Sequence, residues 1–375
     1  MVRACVFRFA RSLPKETLVR TEARTIPDTE AAKRSGIQAL RAIACMLVIL
    51  YHVTYYACIT KDVDFRNFVI VDTGRIGVFI FFVISGFVMG RCFGEGKRFL
   101  LNRILRIYPP YWIALGVSFA LLRSFEPQWH IDLASWLLLP SLEHNNSVHI
   151  PYWTLCYEIA FYCITYVMIL VRLTRGQAAC ACLVWIAAIG VFEAYREPLH
   201  LGHASVVALT LSPGPWILLS PMSIFFAMGL FVSLADTKIF DRVPATYLAL
   251  FSVVMVAIGS MATSPFAVAG LIPLAVGYSG FLLAIQRVRF PTLVSRLGDF
   301  SYGTYLVHIS IVWALVHLFD PHSKEVRLSV IWIAMMAAST CGGLLFGWFE
   351  YALHNRFVKQ LFRRRSKPAR NSVAT

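Results

Sequence analysis

Apolar residues fall in blocks of about twenty along this chain, and short polar or charged stretches separate them. Ten blocks can be read, at 37–57, 75–94, 108–124, 154–172, 178–194, 216–234, 243–262, 266–286, 300–319 and 328–350. An α-helix rises about 1.5 Å per residue, so roughly 17–25 apolar residues cross the hydrocarbon core of a bilayer. The pattern predicts an all-α integral membrane protein, a bundle of about ten transmembrane helices. The third and fifth blocks are short and flanked by charge. ASWLLLPSL (134–142) is too short to span and reads as a re-entrant or interfacial piece.

Composition agrees, since 58% of the 375 residues are hydrophobic and only 15% charged; a soluble domain carries about 25% charged residues. The net charge of +15 could suggest nucleic acid, but its distribution excludes that reading. With the N-terminus in the cytoplasm, 28 of the 35 Lys and Arg fall on the inner side of the ten spans. This is the positive-inside bias, and it places both termini in the cytoplasm of a multi-pass protein of the plasma (inner) membrane. Residues 1–35 are Arg-rich, lack the apolar stretch of a signal peptide, and read as a disordered basic tail lying on anionic headgroups. Residues 36–355 form the membrane domain and 356–375 a second basic tail. No inverted repeat of the transporter kind is visible.

An ionisable group inside the membrane costs about 2.5–3.5 kcal/mol on insertion scales, so each one is a candidate for function. Here they are Arg41 and His52 in the first span, Arg75 opening the second, Glu158 in the fourth, His308 in the ninth and Glu350 in the tenth. Arg41 and His52 are eleven residues apart. At about 100° per residue they share a helix face, roughly 16 Å apart along the axis. Such a face suits a ligand that is anionic at its inner end and reactive at its outer end. Counted from the ends of their spans, His52 and Glu158 both lie roughly 7 Å below the outer interface. At one depth the carboxylate could orient the imidazole and raise its basicity. Two unrelated interhelical hydrogen bonds would leave the same pattern.

Between the second and third blocks, GEGKRFLLNRILRIYPPYW (94–112) places Arg103 and Arg106 one turn apart, after Lys97 and Arg98. Two guanidiniums on one face can grip phosphate oxygens, although a positive-inside anchor would have the same composition. Pro109-Pro110 is expected to end any preceding interfacial helix, with Tyr108, Tyr111 and Trp112 in an aromatic belt. Gly86-xxx-Gly90 and Gly343-xxx-Gly347 permit close helix packing. Asp299 reads as a cap on the ninth span. The nine cysteines have no metal-binding spacing, and a Cys58–Cys156 disulfide is one option near the outer face. No metal is implied.

Taken in order, these pieces resemble the acyltransferase-3 family of membrane acyltransferases. They are Arg41 and His52 with ten residues between them, GVFIFFVISGF (77–87), Arg103-x-x-Arg106 leading into YPPYW, YWTLCYEIAFY (152–162) and LGDFSYGTYLVH (297–308). The likeness covers about residues 36 to 355, and its wording is closest to the branch that acetylates exopolysaccharides. It implies transfer of an acyl group, most often acetyl from cytoplasmic acetyl-CoA, to a carbohydrate hydroxyl on the outer side. By this resemblance Arg41, Arg103 and Arg106 would hold the phosphates of acyl-CoA. His52 would act as general base, Glu158 would orient it, and Ser85 and His308 would support the site. Relatives with an appended hydrolase-like domain pass the acyl group to it. With none in this sequence, direct transfer or a separate partner protein is expected.

The sequence departs from the family where a Glu is often followed by Pro; here the last span reads WFEYALHNRF (348–357). The role of Glu350 stays open on that account. Acceptor contacts are expected in the loops at 124–153 and 195–215, which carry His130, His144, His149, His200 and His203. A transporter or flippase for an acidic lipid or sugar intermediate, or a non-catalytic descendant of the family, would also explain buried polar residues.

Overall fold

The computed structural model describes residues 15–69, 71–127, 133–140, 150–195, 216–235, 242–262, 268–319 and 325–358, with side chains between residues 32 and 356. Among them there is no strand. The helices are α1 (Lys15–Thr60), α2 (Thr73–Arg91), α3 (Phe99–Leu122), α4 (Leu133–Leu137), α5 (Tyr152–Leu170) and α6 (Arg175–Tyr195), then α7 (Ser223–Leu234), α8 (Ala245–Ser260), α9 (Val268–Ile285), α10 (Thr292–Phe319) and α11 (Leu328–Leu353). Among the described residues, eight helices are long and apolar enough to cross a membrane; α7, of 12 residues, and α8, of 16, are shorter. The block read at 216–234 is broken because residues 217–219 form a 3₁₀ turn and the α-helix starts only after Pro221. Helical backbone begins at Lys15, inside the stretch read as a disordered tail.

Helix α1 is the axle of the bundle. It packs on α10, α2 and α11, and Ala39, Ala44, Ile49, Val53 and Ala57 are fully buried along it. Small residues let the helices approach closely. A Cβ at Gly86 would collide with the Phe226 carbonyl, and one at Gly229 with the Val83 carbonyl, so α2 and α7 meet backbone to backbone. Gly343 and Gly347 bring α11 against Thr304 and Phe300 of α10, the packing expected of both glycine pairs. Asp299 is not a cap: α10 starts seven residues earlier, after Pro291, and the Asp299 carboxylate accepts from the Gln38 amide of α1 at 2.8 Å. Cys58 and Cys156 are free and buried, not bridged.

Two corrections concern α3 and α5. Helix α3 runs straight through Pro109 and Pro110, which puts Arg103 and Arg106 on a continuous helix, not in a loop. Membrane helices tolerate proline more readily than soluble ones do. The carbonyls that lose an i→i−4 donor here are those of Leu105 and Arg106; on the adjacent residue, the Tyr302 hydroxyl of the last-but-one helix donates to the Ile107 carbonyl at 3.1 Å.

The segment at 133–139 dips into the bundle, and aromatic donors cover its carbonyls. Tyr108 donates to Leu137 at 2.7 Å, Tyr111 to Ser135 at 2.7 Å, and Trp112 to Trp136 at 3.0 Å. Tyr152 donates to the carbonyls of Leu139 and Ala134. Irregular backbone at membrane depth needs such partners. The aromatics expected in an interfacial belt serve here as hydrogen-bond donors. Tyr152 therefore lies level with residues about 15 Å into α3, so α5 begins well inside the bundle.

Candidate active site

At the end of the bundle that carries Lys97, Arg98, Arg103 and Arg106, a cavity of about 170 Å³ opens between α1, α2, α3, α5 and α10. Arg41, Arg103 and Arg106 line it together with Ser85, Glu158, Tyr162, Tyr302 and Tyr305, and Val78, Phe81 and Phe82 supply apolar wall. Three guanidiniums from two helices thus converge on one space. Two are tethered: Arg103 donates to Glu95 at 2.7 Å, and Arg106 is paired with Glu350, whose side chain is 1% exposed. Arg41 makes no hydrogen bond or ion pair among the described residues, and the buried Nε of Arg103 has no partner there. Buried donors without partners are costly, so such groups mark a place where an anion would be welcome.

Glu158 sits in this cavity, where the Ser85 hydroxyl donates to its Oε2 at 2.8 Å and Tyr162, one turn along α5, lies within hydrogen-bonding reach. It does not pair with His52. The depth estimate failed because α5 does not start at the interface. Thr154 bonds Tyr305 across the helices at 2.9 Å. Glu158 is one turn from Thr154 towards the basic end, and His308 is three residues from Tyr305 in the other direction. The carboxylate and the imidazoles are thus separated by about 10 Å of helical rise.

The partner of His52 is His308. Their rings lie 5.1 Å apart, with His308 Nε2 3.2 Å from His52 Nδ1. The surrounding acceptors decide the tautomers. His308 Nδ1 faces the Tyr305 carbonyl at 2.7 Å, which can only accept, so Nδ1 carries the proton and Nε2 is a lone pair. His52 Nδ1 then faces two acceptors, that lone pair and the Val48 carbonyl at 3.0 Å, so it too carries a proton. The neutral His52 is left with its lone pair on Nε2, which has no partner among the described residues. A second imidazole thus fixes the ring and presents a free basic nitrogen, the role a carboxylate plays in the familiar triads. His308 is 0% exposed, whereas His52 retains some open surface.

Of the residues singled out from the sequence, Arg41, Ser85, Arg103, Arg106 and Glu158 share the cavity, and His52 and His308 form a separate pair beyond Tyr305, whose ring is 5.5 Å from that of His308. Spacing did not reveal the work of Glu350, Glu95, Tyr302 or Tyr305. Glu350 carried a signal, an acid deep in an apolar span. The loop histidines 130, 144, 149, 200 and 203 lie outside the described residues. Comparison with curated proteins and with solved structures gives no match. The acyltransferase domain model Acyl_transf_3 matches residues 34–348, which take in the cavity and the histidine pair. Since that match extends over most of the chain, this protein belongs to the acyltransferase-3 family of membrane acyltransferases.

Proposed function

We propose that the protein is an O-acyltransferase of the plasma (inner) membrane. It moves an acyl group, acetyl in the first instance, from cytoplasmic acyl-CoA to a hydroxyl of an exported carbohydrate such as an exopolysaccharide. On this reading both termini face the cytoplasm and the basic end of the cavity lies on the cytoplasmic side, which the excess of Lys and Arg at that end supports. The observation that carries the reading is the separation of two chemistries along α1: guanidinium groups with unfilled donors near Arg41, and an imidazole with an unpaired lone pair at His52.

Acyl-CoA has the matching shape, with phosphates at one end and a thioester at the tip of a slim arm. Arg41, Arg103 and Arg106 take the phosphates, with Glu95 and Glu350 holding two of the three guanidiniums in position. The arm passes Ser85 and Glu158 towards Tyr305, and Glu158 becomes a hydrogen-bonding group for the arm, since it is too far from His52 to orient it.

At the far end, Nε2 of His52 takes the proton of the acceptor hydroxyl while the oxygen attacks the thioester carbonyl. The tetrahedral intermediate collapses, the C–S bond breaks, and the imidazolium returns the proton to the departing thiolate. A base in this position contributes about 10²–10⁴-fold in rate. His308 Nε2 and the Val48 carbonyl accept from Nδ1–H throughout, which steadies the ring as it becomes charged.

The test is to supply labelled acetyl-CoA on the cytoplasmic face of membranes carrying wild type or His52→Ala at matched levels, and to count label in extracted glycan. Label with wild type alone supports the reading. Equal labelling by both would remove His52 from the chemistry. Absence of label with any short acyl-CoA, together with build-up of unmodified substrate on one side, would favour transport.

A further inference from the structure

The connection between α1 and α2, at the end of the bundle away from the arginines, is built of aromatic rings that the acyl-transfer scheme does not use. Tyr51 and Tyr55 are one turn apart on α1, and their rings are parallel to within 2° at 6.4 Å between centroids. Phe65, from the 3₁₀ turn Phe65–Asn67, stands edge-on to both, at 5.3 Å from each. Tyr51 is also edge-on to His52, at 5.5 Å. A Cβ at Gly74 would strike the Tyr51 ring at 2.7 Å, so glycine at the start of α2 lets the backbone press the ring into place. Tyr55 is the open member, 38% exposed.

Polar groups border these rings. Asp72 and Arg75 form a two-point pair, at 2.9 and 3.2 Å, close enough to act electrostatically on Tyr51. Neither the Tyr51 nor the Tyr55 hydroxyl makes a hydrogen bond among the described residues. Fixed aromatic faces, unfilled phenol groups and a carboxylate–guanidinium pair at the rim suit a ligand with one C–H-rich face and hydroxyls around its edge. That is a pyranose ring: its C–H face is slightly positive and settles on the negative face of an aromatic ring, while its hydroxyls reach the phenols and the carboxylate.

We propose that Tyr51, Tyr55 and Phe65, with Asp72 and Arg75 at the rim, form the acceptor subsite, a stacking platform for a sugar unit of the glycan chain. This rests on the reading that the acceptor is a carbohydrate. Tyr55 is three residues beyond His52, about 4.5 Å of helical rise, which is about one sugar ring. A sugar on Tyr55 therefore holds its own or its neighbour's hydroxyl over Nε2 of His52. Tyr51 touches both the platform and the imidazole, so the base and the acceptor share one wall.

The probe is the host's own surface polysaccharide, stripped of O-acyl esters by mild alkali, titrated against wild type, Tyr55→Ala, Tyr55→Phe and Tyr247→Ala in membranes. Tyr247 is another exposed tyrosine, 64% exposed, and it belongs to the first turn of α8, remote from His52 in the chain. The expected result is a rise of about tenfold in the half-saturating acceptor concentration for Tyr55→Ala, with the donor KM and the saturated rate unchanged. Tyr55→Phe, which keeps the stacking face and loses the phenol, gives a smaller rise of about threefold, and Tyr247→Ala stays near wild type. That pattern reports lost acceptor binding, not lost chemistry. Unchanged acceptor saturation in Tyr55→Ala, or a fall in rate matched by Tyr247→Ala, would overturn the platform and leave the acyltransferase reading standing. If wild type transfers no acyl group to the stripped glycan, the carbohydrate reading itself fails, and the subsite with it.

Discussion

The two ends of the α1 face solve opposite problems. At Arg41 the bundle gathers charge: three guanidiniums line one cavity, and Glu95 and Glu350 tether two of them. At His52 it avoids charge: two neutral imidazoles share one proton-bearing contact, and backbone carbonyls take the remaining donor of His308 and a share of that of His52. A site that holds phosphate needs permanent positive charge kept in place by acids. A site that moves a proton needs a group that can be neutral in low dielectric and charged only in passing. The difference predicts that damage at the histidine end slows the chemical step and damage at the arginine end weakens donor binding.

The sharpest way to break that contrast is His52→Ala. The acyl-transfer rate is expected to fall by about 10²–10⁴-fold with donor KM little changed, since a general base acts on the transition state. A mutant whose donor KM rises while its saturated rate holds would place His52 in binding and merge the two ends. Next in size is His308. His308→Phe removes the acceptor for His52 Nδ1–H and is expected to cost about tenfold to a hundredfold in rate, the range seen for lost orienting partners of histidine ligands. His308→Asn, whose amide oxygen can accept, should recover part of it. If both substitutions cost the same, His308 acts through packing and not through the hydrogen bond.

How much of this was legible without coordinates follows from the same two ends. Arg41 and His52 could be placed because one uninterrupted helix carries both, and helical spacing converts sequence separation into depth. Glu158 could not, because its depth was counted from the start of a span, and α5 starts below the surface where residues 133–139 dip in. Nothing in YWTLCYEIAFY says how deep its first tyrosine lies. The pairing of His308 with His52 joins residues 256 apart and depends on how α1 and α10 are rotated against each other. The proline pair misled because the rule for soluble helices was applied to a helix packed in a membrane bundle, where proline is tolerated in the interior. The glycine pairs were read correctly because close packing is a local consequence of having no side chain.

At the arginine end the test is an exchange. Glu350→Gln leaves Arg106 facing a neutral amide and should raise the donor KM several-fold, with a loss of stability of about 1–3 kcal/mol. This is below the cost of breaking a fully buried pair, because Arg106 keeps 26% of its side-chain surface exposed. Arg106→Glu combined with Glu350→Arg should restore stability, read by thermal unfolding in detergent, without restoring donor affinity, because the cation is then on the wrong helix. Recovery of both would show that the pair only has to exist. In that case Arg106 would be an anchor, and the phosphates would be left to Arg41 and Arg103.

The smallest expected effect belongs to the segment that misplaced Glu158. Tyr152 donates to the Leu139 carbonyl at the first residue of α5. Tyr152→Phe keeps the ring and removes one hydrogen bond, a loss of about 1 kcal/mol, or up to about 3 if the carbonyl is left without any partner. The Ala134 carbonyl, the other acceptor of Tyr152, keeps the Leu139 amide as its donor at 3.0 Å, so only the Leu139 carbonyl loses its partner. Because α5 also carries Glu158, slackening its first turn should be felt in the cavity before it is felt at the histidines: donor KM should rise by a small factor while the saturated rate holds. A change confined to the saturated rate would mean that the dipping segment supports His52 and His308 instead, and that the two ends of the site are coupled through α5 more tightly than their separation along the bundle suggests.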